Sequence, residues 1–537
     1  MKRVVGEINA GGIHLTLVDG FLILLSMLLL LETIQCGADN RIKPFVHIEP
    51  LFIVYWLSRM LFSINKKLTS CLLFLFLTAF CMRELYTAYY QLFCGLGSKK
   101  AQEVCVGSFS NSGPLGCFLS ICSILFVVVG TKTHNFIIRK MMIVMSFASF
   151  FLMVCTLSRA ALFSFTVSLF FLALKKKEVQ VFVKRFWVYI ILAVILAGTG
   201  AYAVKKPSAD GRLLMARVCW RMIKNAGLKG IGIGNFEGAY GEAQADFFLR
   251  YNSSNADLTD LEKIPMNTRM VADSPAYAFN DYLQIWIECG PIVLILLICI
   301  IFSGIVASYK NGNCWCYPLI SISCFSLFSY PFEVNILLLL FVVFLSSNCL
   351  EIEIVGNNSL FYSFMIVALV CIYANHSDEM NKQVSSFFPV HFDKLCANRE
   401  SKYYITKNSV QNGLYEKHIL FTYGKALNAK KDYEKSDSVL VIGTHISSDP
   451  MFWNVMGNNS LAQGKYREAE ERYKHAFYMV PNRLYPLCLL AKLYDIEGDT
   501  ARFLKMADMI ETFKPKIESV NTEFLRSEIR TIRTSYQ

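Results

Sequence analysis

Charged side chains are scarce in this chain of 537 residues. Asp, Glu, Lys and Arg together account for 18% of the residues, whereas hydrophobic residues account for 54%. Soluble domains rarely have this composition, and many apolar stretches reach the roughly 20 residues that a helix needs to cross a bilayer. The scarcity of charge therefore argues against a soluble enzyme and predicts a polytopic membrane protein.

Motifs for metals and nucleotides are also missing. No Cys-x-x-Cys, no His-x-x-x-His and no phosphate-binding lysine loop occurs. The stretch "GIGIGNF" (230–236) follows no strand and belongs to no βαβ unit, so it does not predict a nucleotide site. We expect no metal, no cofactor and no ATP-driven pump. Most cysteines lie in apolar runs and pack there, although Cys94 and Cys105 flank one polar loop and can pair.

Positive charge is in excess, with a formal net charge of +12. In membrane proteins, Lys and Arg mainly orient the helices, and they also favour anionic lipids and phosphate-bearing substrates. The charge therefore predicts membrane lipids as partners and does not indicate nucleic acid.

The apolar runs predict about eleven membrane spans, with about ten to twelve allowed. They lie at 16–33, 46–64, 68–84, 113–130, 141–157, 160–174, 186–203, 281–308, 316–328, 336–348 and 359–374. Basic residues such as Lys66, Lys140 and Lys175 follow every second span, so the positive-inside rule puts the N-terminus in the cytoplasm. We predict an all-α helical bundle in the membrane over residues 1–374.

This topology puts five polar stretches on the outer face. They are "GSFSNSGP" (107–114), "LSRAA" (157–161), a long loop at about 204–279, "AFNDYLQ" (278–284) and "SYPFE" (329–333). Loops carry function more often than spans do. We therefore predict one site at the outer face.

The composition changes after residue 374. We predict a linker at 375–415 and an α-helical tetratricopeptide-like domain at 416–537, on the outer side. The pattern is carried by Trp453, Gly457, Ala469, Tyr473 and Pro481, and it repeats more loosely 34 residues later. Three repeats would suffice for a small solenoid that binds a protein partner; an ordinary helical hairpin is the alternative.

Arg159 stands between two apolar runs at the outer face, in "CTLSRAALFSF". One interpretation is an arginine at a tight helical turn, whose side chain extends to the membrane interface. The other is a fixed cation for phosphate, because a guanidinium keeps its proton and binds phosphate oxygens in a bidentate manner. The sequence leaves both open.

The outer segment 208–240 predicts a basic amphipathic helix. Its basic face carries Arg217, Arg221 and Lys224. Its apolar face carries Leu214, Val218 and Met222. Such a helix can lie on the membrane surface, and the alternative is a solvated charged face.

Polar side chains open the apolar span at 281–308. Asn280, Gln284 and Glu288 follow one another at intervals of four residues, and Asp281 lies nearly in line with Glu288. Polar groups inside a membrane need partners. They either cap the helix and pair with an outer arginine, or form a pocket for a sugar acceptor or its phosphate.

Together these stretches resemble the O-antigen ligase and polymerase family of bacterial envelope enzymes. The shared motifs are "GSFSNSG", "SRAA", "GR" followed by "GIGIGNF", and "FNDYLQIWIECG". The resemblance covers roughly residues 105–345, and the order, spacing and common face of the motifs make the set specific.

The resemblance implies a helical bundle in the bacterial inner membrane with a large periplasmic loop over a groove open to lipid. It implies transfer of a glycan from undecaprenyl pyrophosphate to a hydroxyl of a growing polysaccharide or of the lipid A core, without metal or nucleotide sugar. The resemblance implies catalytic roles for Arg159, Arg212, Asp281 and Glu288. Substrate-binding roles fall on Asn111, Ser158, Arg221, Asn235, Asn280, Tyr282 and Gln284.

The chain departs from the family pattern at one position. Ligases usually carry a histidine immediately before the Asn of "FNDYLQ", and this chain has Phe279 there. A carboxylate can take over the histidine's role. Four candidates remain open: Asp281, Glu288, Asp273 and Glu333.

Two other functions remain open. A protein O-oligosaccharyltransferase of the same family would use the tetratricopeptide segment to bind an acceptor protein. A non-catalytic envelope scaffold or a polysaccharide transporter would use the polar face without chemistry. A transporter would be favoured by inverted repeats, and the sequence shows none.

Overall fold

The computed structural model of this chain is helical. It describes residues 16–35, 44–95, 105–204, 206–250, 264–347, 407 and 416–536. Within these ranges every regular element is an α-helix or a 3-10 turn, which confirms the all-α prediction for them. The predicted last span, 359–374, and the predicted linker, 375–415, lie outside the described residues apart from Lys407.

The chain divides into two packing units. The first comprises residues 1–203 and 279–374, and the second comprises 204–278 and 375–537. Residues 204–278, which the sequence predicts as an outer loop, thus pack with the C-terminal helices. Chain order alone groups this loop with the membrane helices.

The first unit contains α1 (Leu17–Gln35), α2 (Pro44–Ile64), α3 (Lys66–Gly95), α4 (Ser112–Lys132), α5 (Phe136–Cys155), α6 (Arg159–Ala173) and α7 (Lys177–Val204). It also contains α11 (Asp281–Lys310), α12 (Cys316–Phe325), a 3-10 turn (Pro331–Glu333) and α13 (Asn335–Ser346). The second unit contains α8 (Lys206–Ala226), α9 (Phe236–Leu249) and α10 (Met266–Met270). Its C-terminal helices are α14 (Lys417–Ala429), α15 (Tyr433–Thr444), α16 (Met451–Ala462), α17 (Tyr466–Met479), α18 (Tyr485–Glu497), α19 (Thr500–Thr512) and α20 (Val520–Thr534).

The first unit has the helices of a membrane protein. In the described part of the chain, five helices are long and apolar enough to span a bilayer: Lys66–Cys94, Ser112–Lys132, Phe136–Cys155, Lys177–Gly200 and Asp281–Lys310. Four shorter apolar helices accompany them: Leu17–Leu29, Arg159–Ala173, Cys316–Phe325 and Asn335–Ser346. Each predicted span before 359–374 overlaps a helix. How many of these helices cross the membrane stays a prediction.

Helix α4 is the most enclosed of the five long helices, with 83% of its apolar window buried. It packs against α3, α5, α6 and α12. The Ser120 hydroxyl lies 2.8 Å from that of Ser321 and 3.3 Å from that of Ser164, where α4, α6 and α12 meet. Small side chains let helix backbones approach closely, and their hydroxyls bond across the gap. This contact therefore fixes the three helices relative to one another.

Helix α11 is kinked near its start. Gly290 has φ 81°, a left-handed conformation, and Pro291 follows it. Glycine adopts that conformation without steric cost, and proline removes a hydrogen bond of the helix. The kink separates the polar first turns, which carry the predicted site residues, from the apolar remainder of the helix.

The C-terminal helices of the second unit pack in chain order, each against the next. Ala469, Tyr473 and Ala476 are fully buried. A Cβ atom on Gly457 would overlap the ring of Tyr473, so these two helices approach closely only because residue 457 is glycine. The buried positions are those that the repeat pattern marks, and the tetratricopeptide assignment itself stays a prediction.

The outer loop packs on these C-terminal helices through α9. A Cβ atom on Gly238 would overlap the backbone of His445, so α9 lies against the chain between α15 and α16. The Gln244 side chain is buried, and its amide donates to the backbone oxygens of Asp273 and Met479. Because a buried amide without partners is costly, these bonds hold α9 in place.

A second part of the loop, residues 264–278, is held in the same way. The Asn482 amide donates to the backbone oxygens of Arg269, at 3.0 Å, and Ala272, at 2.7 Å. Lys516 forms an ion pair of 2.7 Å with Asp273. Local sequence patterns do not encode these contacts, because the partners lie more than two hundred residues apart.

Helix α8 is amphipathic as predicted. Its apolar residues Leu214, Val218 and Met222 are buried, while Arg217 and Lys224 are exposed. The helix packs against α9 and α10. Its apolar face is therefore covered by protein, which corrects the expectation that this face lies on the membrane surface.

Candidate active site

The loop before α4 is held by two side chains of α3. The buried Glu84 carboxylate accepts hydrogen bonds from the Ser108 amide, at 2.8 Å, and the Ser108 hydroxyl, at 2.6 Å. The Gln91 side chain accepts from the Gly107 amide at 2.8 Å and donates to the Gly107 oxygen at 2.9 Å. Cys94 and Cys105, beside this loop, are free thiols, so the pairing that the sequence allows is not formed. Helix α3 therefore anchors the start of the "GSFSNSG" loop through the Glu84 and Gln91 side chains.

Asn111 ends that loop and begins α4. It is the N-cap of the helix, and its amide donates to the Tyr330 hydroxyl at 3.1 Å. A Cβ atom on Gly113 would lie 3.9 Å from the Ser329 hydroxyl. The predicted outer stretches 107–114 and 329–333 therefore meet in the structure.

Helix α6 begins at Arg159. Leu157 has φ 51°, which is unusual for a residue other than glycine, and the Ser158 hydroxyl accepts from the Ala161 amide at 3.4 Å as an N-cap. A Cβ atom on Gly116 of α4 would lie 3.0 Å from Ser158. The "SRAA" turn thus lies against the first turns of α4, and Arg159 is half-buried there.

Helix α11 begins in a similar way. Phe279 has φ 50°, and the following Asn280 side chain accepts from the Leu283 amide at 3.0 Å. Asn280 therefore caps the helix, which is the structural alternative considered for it. The ring of Phe279 packs edge-on against Tyr330, with centroids 5.2 Å apart. Strained residues of this kind concentrate at functional sites.

The first turns of α11 bind the 3-10 turn. The Asp281 carboxylate is buried and accepts from the Phe332 amide at 3.1 Å. The Gln284 amide donates to a carboxylate oxygen of Glu333 at 2.7 Å. The Tyr282 hydroxyl donates to the Ser323 backbone oxygen at 2.9 Å, so it anchors α11 to α12.

Glu288 lies one turn deeper and is also buried. It shares the protein-facing side of α11 with Asp281 and Gln284. Asn280 precedes the helix and does not belong to that side, which differs from the predicted alignment of Asn280, Gln284 and Glu288. An N-cap residue has non-helical backbone angles, so helical spacing does not apply to it.

The start of α4, the start of α6 and the start of α11 with the 3-10 turn gather at one end of the first unit. Each helix start presents unsatisfied amide groups and the positive end of its dipole. Helix N-termini bind phosphate and other anions for this reason. A cation at the start of a helix is unfavourable, yet Arg159 occupies that position in α6. This end of the unit therefore combines the positive ends of three helices and Arg159 with the carboxylates of Asp281 and Glu333.

The remaining predicted residues belong to the second unit. Arg212 is half-buried in α8. The Arg221 guanidinium lies 4.5 Å from the ring centroid of Phe247, and its Nη1 is buried without a hydrogen-bond partner in the described residues. The Asn235 side chain donates to the Ile231 oxygen at 3.0 Å and so closes the glycine-rich turn.

The backbone conformation of that turn explains its three glycines. Gly230, Gly232 and Gly234 have φ of 75°, 95° and 77°. Only glycine adopts such angles routinely, so their spacing reflects the shape of the turn and not a nucleotide motif.

Two residues of the site did not stand out in the sequence. Glu84 ends an apolar run, and a carboxylate at that position is a signal because it is costly to bury. Tyr330 lies in a stretch that the sequence predicts on the outer face, but no local sequence pattern indicates its hydrogen bond to Asn111. Across the described residues, no group of three or more His, Cys, Asp and Glu side chains could hold a metal ion.

Part of the chain matches a known protein family. No curated protein and no solved structure matches the chain. Residues 104–298 match the family model described as O-antigen ligase. That range contains every predicted site residue from Asn111 to Glu288. The match supports the O-antigen ligase family for this part of the chain, and with it a membrane function of the ligase or polymerase type.

Proposed function

We propose that this protein is a membrane glycosyltransferase that takes a glycan from undecaprenyl pyrophosphate and joins it to an acceptor hydroxyl. The reaction takes place at the periplasmic face of the bacterial inner membrane. The observation that carries the proposal is the meeting of three helix starts and the 3-10 turn, with Arg159, Asn111 and Gln284 among their side chains. The family match supports the same reaction class.

Arg159 binds the donor pyrophosphate in this proposal. As the glycosidic bond breaks, the departing pyrophosphate gains negative charge, and a fixed cation in a partly dry site stabilises it. The planar guanidinium holds two phosphate oxygens at once, whereas a lysine would act as a point charge. The amides at the start of α6 add to the same attraction.

Arg212 has the second cationic role in the proposal. Its assignment rests on the "GR" motif and on the family match, which includes position 212. Asp281 and Glu288 keep the buried end of α11 polar, and the exposed amide of Asn111 is suited to hydroxyl groups of a sugar. The buried Gln284 acts through Glu333, which accepts its amide. The capping residues Ser158 and Asn280 shape the same end of the unit by fixing where α6 and α11 begin.

The acceptor class separates three variants of the proposal. A polymerase extends a polysaccharide, a ligase modifies the lipid A core, and a protein O-oligosaccharyltransferase modifies a protein. For the third variant, the C-terminal helices would bind the acceptor protein as tetratricopeptide repeats do.

A periplasmic position of residues 204–278 and 416–536 belongs to the proposal. Ser535 is exposed at the end of α20. A single cysteine at that position, in a background without other accessible cysteines, should react with a membrane-impermeant thiol reagent in cells with a permeable outer membrane. Protection in intact cells and reaction only after lysis would put this unit in the cytoplasm.

Glycan analysis tests the function itself. Purified protein in lipid vesicles should release undecaprenyl pyrophosphate from a lipid-linked glycan only when an acceptor is present. In a deletion strain, single repeat units on lipid A indicate a polymerase, and accumulated lipid-linked polymer indicates a ligase. Unchanged envelope glycans, together with no transfer by the purified protein, would favour a scaffold or a transporter.

A further inference from the structure

The structure separates the four carboxylates that could replace the family histidine at position 279. Two of them, Asp281 and Glu288, are buried, with 2% and 7% of their surfaces exposed. One carboxylate oxygen of Asp281 already accepts the Phe332 amide, and the backbone amide of Asp281 donates to the Ser326 oxygen. These contacts fix the start of α11. A group in that position supports the site and does not reach an acceptor hydroxyl.

Asp273 is unsuited to replace the histidine as a base for a different reason. Burial by itself would raise the pKa of its carboxyl, but hydrogen bonds from Lys516 and the Ser274 amide more than offset this, so the pKa is lowered. A carboxylate paired with lysine at 2.7 Å is a weak base. Its role is to hold residues 264–278 on the C-terminal helices.

Glu333 combines an exposed position with a carboxyl whose pKa is raised. The residue is exposed in the 3-10 turn, and one oxygen of its carboxylate accepts from the Gln284 amide at 2.7 Å. The other oxygen has no hydrogen-bond partner among the described residues, so it can receive a proton. Surrounding protein atoms raise the pKa of this carboxyl, and the bond from Gln284 offsets this only in part. A general base works best when its pKa lies near the operating pH.

The surroundings of Glu333 contain few other ionisable groups. Asp281 is the neighbouring carboxylate and Tyr330 the neighbouring phenol. Helix α13, which packs against the 3-10 turn, carries no ionisable side chain in its sequence "NILLLLFVVFLS". No lysine or arginine forms an ion pair with Glu333 in the described residues.

We infer that Glu333 is the general base of glycan transfer and does the work that a histidine at position 279 does in relatives. The inference rests on the proposed function. The acceptor hydroxyl gives its proton to the Glu333 carboxylate, and the acceptor oxygen forms a bond to the anomeric carbon. The bond from that carbon to the pyrophosphate breaks, and its electron pair leaves with undecaprenyl pyrophosphate. Gln284 holds the carboxylate in orientation throughout.

The test compares Glu333→Gln, Glu333→Asp and Glu333→Ala in purified, vesicle-embedded protein. Glu333→Gln should lower kcat by about a hundredfold or more, since a general base contributes that much, while the KM for the lipid-linked donor changes less than about threefold. Glu333→Asp should retain an intermediate rate, and formate should restore part of the activity of Glu333→Ala. Glu178→Gln, at an exposed carboxylate in the first turn of α7, is the matched control.

The pH dependence of the transfer rate distinguishes a general base from a structural residue. Because the carboxylate must be ionised, the wild-type rate should rise with pH through a midpoint above the ordinary range of glutamate. Glu333→Gln should lose that rise. Wild-type kcat in Glu333→Gln would overturn the inference while wild-type transfer still supports the proposed function. The inference would also be overturned if kcat fell equally in all three variants, formate restored no activity and the pH profile were unchanged. Glu333 would then have a structural role.

Discussion

The two packing units use charge in different ways. In the second unit, arginines and carboxylates form short ion pairs, as Arg502 does with Asp499 at 2.6 Å and with Glu497 at 3.1 Å. In the first unit, two buried carboxylates have long ion pairs, at 3.8 Å for Asp19 and 3.7 Å for Glu84. Neutral donors satisfy them instead.

The difference has a physical basis. The Tyr55 hydroxyl donates to Asp19 at 2.6 Å, and the Ser108 hydroxyl donates to Glu84 at the same distance. In surroundings of low dielectric, an ion pair must offset the desolvation of two charges, whereas a neutral donor brings no second charge to desolvate. Charge in the second unit is therefore paired with opposite charge, whereas neutral donors satisfy the buried carboxylates of Asp19 and Glu84 in the first unit. Four experiments test this difference between the units.

Removal of the C-terminal helices should have the largest effect. The outer loop packs with them, so deleting 416–537 leaves α9 and residues 264–278 without their buried neighbours. We expect glycan transfer to fall by about a hundredfold or more, because a misplaced binding loop loses that much. The measurement is glycan transfer by the truncated protein in vesicles. Full activity would show that the loop keeps its fold alone and that the C-terminal helices are accessory.

Gly238→Ala should destabilise the second unit by about 1–3 kcal/mol, because the added Cβ atom overlaps the His445 backbone. Gly198→Ala in α7 is the control, since no atom lies within 4 Å of its Cβ position. The rate at which the buried Cys488 reacts with a thiol reagent during heating reports the unfolding of this unit. Equal reactivity of Cys488 in both variants would mean that α9 does not pack against residue 445.

Asn482→Ala should release residues 264–278 from the C-terminal helices. Two backbone oxygens, those of Arg269 and Ala272, lose their donor, which costs about 1–3 kcal/mol. Hydrogen exchange should become faster in that segment, and Asn225→Ala, at an exposed position of α8, should leave it unchanged. Unaltered exchange in Asn482→Ala would show that other contacts suffice to hold the segment.

The smallest effect is expected for an exposed ion pair. Arg467 and Glu471 are largely exposed, so Arg467→Ala should change the stability by less than about 0.5 kcal/mol. Arg472 is mostly buried and bonds Asp437, Glu468 and the Met456 oxygen, so Arg472→Ala should cost about 1–3 kcal/mol. The reactivity of Cys488 measures both. Similar losses in the two variants would refute the view that burial decides what these charges contribute.

Much of the first unit could be predicted from the sequence. Apolar runs mark the helices because a helix inside a bilayer must cover its backbone with apolar side chains. The "SRAA" and "FNDYLQ" stretches mark the starts of α6 and α11, and the topology that charge in the loops indicates stays a prediction. The roles of Ser158 and Asn280 as N-caps also have a sequence signal, since both residue types are favoured there.

The pairing of distant segments could not be predicted. Nothing in the local pattern indicates that Asn482 binds Ala272 or that Asn111 binds Tyr330. The choice among the four carboxylates also needed the structure, because burial and hydrogen bonding distinguish them and residue type does not. Chain order also groups the loop at 204–278 with the membrane helices, because sequence order does not reveal which surface a loop packs on.

Glycan transfer by Arg159→Ala is the most direct measurement of the proposed function. Purified variants in lipid vesicles, given a lipid-linked glycan and an acceptor, are compared at equal protein abundance with Arg217→Ala, at an exposed position of α8, as the control. We predict that Arg159→Ala lowers the rate of glycan transfer by about a hundredfold or more, as removing one transition-state donor does. Arg159→Lys should also have a low rate, whereas the rate of Arg217→Ala should stay near that of the wild type. Wild-type transfer by Arg159→Ala would show that this arginine only begins a helix, and it would contradict the site proposed here.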